Sequence, residues 1–257
     1  MCQLAASSYK KRLYLLKEER FFYTPLAQST DCLPDEETAH AVRVLRLGVG
    51  DPIRLMDGKG CFYQAEIVEA TKKICRYKIL NVQEQPRQWK SFMHVAMAPT
   101  KNMDRTEWFV EKAVEIGVDK ITFLSTDFSE RKKLNLERLE KIVVSAMKQS
   151  RKAYKTELEG LVDSKSFITS ATEKQRFICH CYDNTTNNQL GVKTLLKNNI
   201  SGASDFLVMV GPEGDFSLDE VVMAEQYGFK SASLGLSRLR TETAALAAVH
   251  ILSIFSE

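Results

Sequence analysis

The 257-residue chain has no apolar run approaching the ~18 residues that a membrane-spanning helix requires. Its amino end lacks the charged, apolar and small-residue order of a secretory signal. These absences exclude a membrane partner and predict a cytoplasmic protein. The six cysteines (2, 32, 61, 75, 179, 181) include no C-x-x-C pair, which favours reduced thiols over a redox motif. Neither G-x-G-x-x-G nor G-x-x-x-x-G-K-[ST] occurs, so both common phosphate loops are missing. No internal repeat is present, which excludes a solenoid.

Hydrophobic content of 44% and charged content of 27% describe a folded chain long enough for one large or two ordinary domains. The informative stretch lies near the carboxyl end. An apolar run at 206–210 reads as a strand buried on both faces. It meets a turn with two glycines and a proline, Gly211-Pro212-Glu213-Gly214-Asp215-Phe216-Ser217. Ser217 stands three residues before Glu220, a capping box opening a helix over 218–227. A short strand at 232–234 leads into Leu234-Gly235-Leu236-Ser237-Arg238-Leu239-Arg240, and a last helix spans 242–255. Two glycine-bearing loops that follow parallel strands converge at the carboxyl edge of one sheet, where open α/β folds bind ligands. The end of the neighbouring strand brings His180 and Cys181 to the same edge.

Upstream, 21–23 reads as a strand and 34–47 as a helix whose amino end is acidic. On that helix His40, Arg43 and Arg46 recur every three residues and share a face. Strands at 53–56, 61–68 and 74–82, joined by tight turns, predict a small barrel or curled sheet. The polar stretch 83–88 reads as a linker. Beyond it come a strand at 92–98, a helix at 104–116 stopped by Gly117, a strand at 120–125 and a helix at 136–153. A strand at 176–182 and a short helix around 194–196 complete an α/β domain with a mainly parallel sheet. Cys179-His180-Cys181 reads either as a metal pair or as strand alternation with two buried cysteines. Residues 1–20 read as an extension without an inferred role.

Residues 211–217 and 234–244 resemble the cofactor loops of the 16S ribosomal RNA uracil-1498 N3-methyltransferases, knotted enzymes of the SPOUT superfamily. That family usually has a second glycine where this chain has Asp215, and an arginine then an aliphatic residue where it has Ser237 and Arg238. The resemblance implies a PUA-like RNA-binding β-barrel over 21–84 and a methyltransferase domain with a trefoil knot over 89–257. It also implies a homodimer packed through the carboxyl-terminal domain, acting on 16S ribosomal RNA or the 30S subunit. The implied cofactor is S-adenosylmethionine, held by His180, Cys181, residues 211–214, Leu234, Gly235, Leu236, Arg238, Leu239, Arg240 and Thr241, with no metal.

Methylating uracil at N3 requires the imide proton to leave, and arginine suits the anion that develops because it stays charged and offers a rigid donor fork. Arg131 (in Ser129-Glu130-Arg131) and Arg240 match arginines of the family pattern and are the catalytic candidates. Arg240 has a second reading, a helix-start salt bridge with Glu242. The motif H-x-x-R-V-L-R at 40–46, with Arg131, Gln149 and Arg151, supplies the RNA-binding candidates, although the family's Q-x-x-R segment is displaced here by one place. Residues 130–155 carry nine basic side chains against three acidic ones, a surplus of +6 where the whole chain has +3. That excess reads as a polyanion-binding face or as a solvated helix surface. Two other functions stay open: a SPOUT enzyme acting on another RNA such as tRNA, and a non-catalytic RNA-binding assembly protein.

Overall fold

The computed structural model describes residues 20–182, 190–202 and 204–256. Residues 1–19 of the extension and the polar residues 183–188, which read as a loop, lie outside the described residues. The chain divides into two compact units that meet between Gln85 and Pro86. Among the described residues no helix is long and apolar enough to cross a membrane.

In the first unit, β1 (Phe21–Tyr23) runs parallel to β2 (Pro52–Met56), which continues antiparallel into β3 (Cys61–Ala70) and β4 (Cys75–Glu84). The order is β1-β2-β3-β4, and an isolated bridge joins Cys32 to Arg76 on β4. Phe22, Leu55, Tyr63, Ile67 and Tyr77 fill the core. The one long helix expected over 34–47 does not form. Helix α1 (Asp35–Ala39) widens into a π turn (His40–Val44), and Arg46 then takes a left-handed φ of 55°. Ala41 is fully buried, with Val42, Leu45 and Leu47 packed on the same core, and the Leu47 N–H closes onto the Ala41 carbonyl at 3.0 Å. Arg46 therefore lies beyond the helix, and the three-residue spacing no longer sets a common face with His40 and Arg43. Strand β4 runs through Glu84, so the polar linker is shorter than 83–88.

The second unit is a seven-stranded sheet in which every pair is parallel, in the order β7-β6-β5-β10-β8-β11-β9. Its strands are β5 (Phe92–Met97), β6 (Lys120–Ser125), β7 (Glu157–Asp163), β8 (Gln175–Cys179), β9 (Thr194–Leu195), β10 (Asp205–Val210) and β11 (Lys230–Ser233). The helices are α2 (Met103–Ile116), α3 (Leu136–Ser150), α4 (Ser164–Ser170), α5 (Leu196–Asn199), α6 (Leu218–Gln226) and α7 (Thr241–Ser256). Gly117 ends α2 in the left-handed conformation that a helix stop favours.

Four differences from the sequence reading stand out. Helix α3 stops at Ser150, because Arg151 turns left-handed at φ 54°. Strand β8 ends at Cys179, leaving Cys181 exposed rather than buried. Residues 194–199 form a short strand before their single helical turn. Strand β7 and helix α4 had no counterpart. The former is an edge strand with only partly buried side chains, so it lacks the apolar run that marks its neighbours.

Parallel strands put their carboxyl ends on one edge. The register aligns Met97, Val210, Cys179 and Ala232 in a single row across β5, β10, β8 and β11. The chain leaves that row at Ala98, Gly211, His180 and Ser233. Both glycine loops therefore start beside the same residue, His180.

Candidate cofactor site

The loop after β10 is fixed at nearly every residue. A Cβ on Gly211 would lie 3.0 Å from the Phe216 nitrogen and 3.1 Å from the Asp215 carbonyl carbon, both backbone atoms, so a side chain there fits only if the turn gives way. Glu213 accepts the Lys101 N–H at 3.0 Å, tying the loop to the one that follows β5. Asp215 holds φ 69°, a conformation that Asp tolerates better than most residues. Its carboxylate accepts the Cys181 N–H at 2.6 Å and the Phe216 N–H at 2.8 Å. The capping box forms as the sequence predicts: Ser217 Oγ accepts from the Glu220 N–H, and Glu220 accepts from the Ser217 N–H. Glu220 is fully buried and also accepts Ser164 Oγ at 2.5 Å and the Asp127 N–H at 3.2 Å. Asp127 in turn accepts from Ser217 and Lys165, which hold its carboxyl below the usual range.

Between the loops stands His180, 6% exposed, with Nε2 2.9 Å from Ser231 Oγ. Burial first, then the Lys193 charge, pushes its pKa down to about 4, so the ring is neutral at pH 7. Lys193 Nζ donates to the carbonyls of His180 and Tyr182, fixing the chain as it leaves β8. Burial raises the Cys179 thiol to about 12, which makes it inert packing. Cys181 is also raised, by burial and by Asp215. Among the described residues no group of three His, Cys, Asp or Glu side chains is placed to hold a metal.

The loop after β11 differs in kind. Ser233 Oγ binds both the N–H and the carbonyl of Gly235, whose φ of 130° is one that residues with side chains rarely adopt. Beyond it Leu236 is fully exposed, and Arg238 and Arg240 are exposed. The N–H groups of residues 236–239 make no hydrogen bond among the described residues. Thr241 then opens α7 in a buried position. Glu242 pairs with Arg105 at 3.7 Å and not with Arg240. The Arg240 guanidinium has no ion-pair partner among the described residues.

Residues 87–253 match the family described as RNA methyltransferase domain, and residues 33–80 match the RNA methyltransferase PUA domain. The chain belongs to the RNA methyltransferase family. It is 30% identical to the ribosomal RNA small subunit methyltransferase E of Rickettsia conorii, covering 84% of this chain and 86% of the relative. A probable rRNA-methyltransferase from Porphyromonas gingivalis superposes with a TM-score of 0.85 at 38% identity, over 92% of this chain and 98% of that one. A ribosomal RNA small subunit methyltransferase E from Neisseria gonorrhoeae, solved bound to S-adenosyl methionine, gives 0.77 at 26% identity, over 92% and 98%.

Within this RNA methyltransferase the other expected site residues make contacts of their own in each unit. Arg131 gives two of its five N–H donors to the Thr100 carbonyl at 3.2 Å and the Lys101 carbonyl at 2.5 Å, on the loop whose Lys101 N–H Glu213 accepts. It also lines a cavity of about 470 Å³ with Met103, Asp104, Glu107, Lys133, Leu134, Asn135 and Arg138, none of which belongs to a glycine loop. Gln149 is exposed on α3, and Arg151 caps that helix in the left-handed position. Arg43 donates to the Lys72 carbonyl at 3.1 Å, and His40 packs against Phe22 with ring centroids 6.0 Å apart. Several of the basic side chains in the 130–155 run are committed, Arg138 to Glu107, Lys141 to Glu137 and Lys155 to Glu140. Lys152 is half-buried over Trp89, and burial lowers its pKa. Sequence reasoning missed Ser231, Glu225, Lys193 and Lys101. Their side chains or N–H groups organise the site from positions with no motif of their own.

Proposed function

We propose that this chain is an S-adenosylmethionine-dependent methyltransferase acting on N3 of a uridine in 16S ribosomal RNA, at the 1498-type position. The observation that carries the reading is the row Met97, Val210, Cys179 and Ala232, from which two glycine loops leave on either side of His180. The residues present fit the cofactor: at Gly211 a side chain fits only if the turn gives way, and residues 236–239 offer N–H groups unpaired among the described residues. S-adenosylmethionine, when bound, supplies an activated methyl on a sulfonium. The chain supplies shape and charge. Among the two catalytic candidates Arg240 takes the role of stabilising the charge that develops on a uracil oxygen as the imide proton leaves, because its guanidinium is uncommitted. Arg131 instead holds the loop after β5 through two carbonyls.

The same reading makes residues 21–84 a PUA-like RNA-binding barrel and residues 89–257 a knotted domain that dimerises. His40, Arg43 and Arg46, with Gln149 and Arg151, are its RNA contacts. The protein then works on the 30S subunit or its RNA in the cytoplasm. The test is methyl transfer from labelled S-adenosylmethionine to purified 30S subunits, 16S RNA and tRNA, with mass spectrometry of the digested RNA. Expected is one 3-methyluridine in the small-subunit RNA. Label only in tRNA would replace the substrate. Absence of transfer to any RNA, with cofactor bound, would support the non-catalytic alternative.

A further inference from the structure

Two buried histidines sit in the seven-stranded sheet, and they differ at one atom. His94 has both ring nitrogens occupied, Nδ1 by Glu173 at 2.5 Å and Nε2 by Thr122 at 2.8 Å. His180 has Nε2 on Ser231, while its Nδ1 is buried with no hydrogen-bond partner among the described residues. A buried polar atom left this way costs about 1–3 kcal/mol, so its persistence calls for a cause.

The neighbours of His180 decide where its proton sits. Ser231 has one hydroxyl proton, and it goes to Glu225 Oε1 at 2.5 Å, where the carboxylate oxygen accepts it. Glu225 is itself fixed by the Gly191 N–H, 3.0 and 2.9 Å from its two oxygens. Ser231 Oγ therefore has only lone pairs to offer His180, and Nε2 must carry the imidazole proton. Nδ1 is left as a bare acceptor. The depressed pKa keeps it so across the neutral range. This acceptor stands at the first residue past β8, flanked by the starts of both glycine loops.

We propose that the Glu225, Ser231 and His180 relay holds Nδ1 as an acceptor for a donor on the nucleoside of the cofactor, a ribose hydroxyl or the adenine amino group. His180 is then a positioning residue that selects adenosyl ligands. The proposal rests on the cofactor assignment above.

The test is calorimetric titration of wild type, His180→Phe and His180→Asn with S-adenosylhomocysteine and its 2′-deoxy, 3′-deoxy and N6-dimethyl analogues. Expected is about tenfold weaker binding by wild type of the one analogue that lacks the donor, the size of a single hydrogen bond. His180→Phe should bind the parent compound about tenfold more weakly and lose nothing further with that analogue. His180→Asn, whose Oδ1 stands near the Nδ1 position, should recover part of the loss. A measurement on wild type alone guards against misfolded variants. Nitrogen-15 correlation spectra should show Nδ1 unprotonated in the free protein and shifted upfield on ligand binding. A protonated Nδ1, no shift on binding, or additive losses for every analogue would overturn the relay and leave the cofactor assignment standing. Failure of wild type to bind any adenosyl compound would overturn both.

Discussion

The two glycine loops leave neighbouring regions of one sheet edge, yet one is finished and the other is not. The loop at 211–217 is anchored by Glu213 to the Lys101 N–H, by Asp215 to the Cys181 N–H and by a reciprocal capping box to α6. The loop at 234–240 has one serine hydroxyl holding Gly235 and then four consecutive N–H groups without partners among the described residues, with Leu236 in solvent. A satisfied loop is a rigid floor, and an unsatisfied one is completed by what binds it. The difference teaches that glycine content alone does not distinguish a scaffold turn from a ligand-gripping one. The partners of the backbone do.

The comparison can be broken most severely at Glu220. Its buried carboxylate accepts three donors, from Asp127, Ser164 and Ser217, and Glu220→Ala should cost about 3 kcal/mol or more in denaturant unfolding. A loss below 1 kcal/mol would mean that the first loop is not held from beneath. Next is Gly211→Ala, whose Cβ meets backbone atoms and should cost about 1–3 kcal/mol. Gly235→Ala meets nothing within 4 Å and suffers only through its φ of 130°, so about 1 kcal/mol is expected. Crowding within the protein is therefore not the reason a larger residue at 235 would fail. In calorimetry the order should reverse, with Gly235→Ala losing more affinity for S-adenosylmethionine per kcal/mol of stability.

Acid titration sharpens the same contrast through His180. Its folded pKa of about 4 lies below the unfolded value of 6.5, so the unfolded chain binds the extra proton in that window. The associated stability is fully present above pH 6.5 and is lost as pH falls through 4, on the order of 3 kcal/mol. His180→Asn should flatten the profile between pH 6.5 and 5. The depressed carboxyls of Asp127, Asp163, Glu159 and Glu173 add their losses only at lower pH. An unchanged slope in the variant would show that another group titrates there. The smallest effect is expected for Leu236→Ser, within about 0.5 kcal/mol in stability because the side chain touches only solvent.

Most of the second unit was legible because buried parallel strands write themselves as apolar runs, as at Phe206 to Val210, and because caps such as Ser217 with Glu220 act within one turn. Strand β7 was not legible, since its side chains are only half-buried and its pairing with β6 is a long-range event. The helix at 34–47 misled for the opposite reason. Its periodicity was helical, but packing of Ala41 and Leu47 onto the small core overrode it with a π turn. In the site, residues within the loops were readable from glycine and charge. Ser231 and Glu225 were not, because nothing local distinguishes a serine that orients a histidine from any other.

The sequence by itself determined most elements of the α/β unit, the two glycine loops and helix stops such as Gly117, features written in apolar runs, glycines and caps. The tertiary structure alone decided which arginine holds two carbonyls and which has no ion-pair partner among the described residues, since Arg131 and Arg240 look alike until the loop after β5 is in place. It also decided the state of His180. Two strands and a helix had to bring Glu225 onto Ser231 and Ser231 onto one ring nitrogen before the other could be left bare, and no spacing along a chain encodes that meeting.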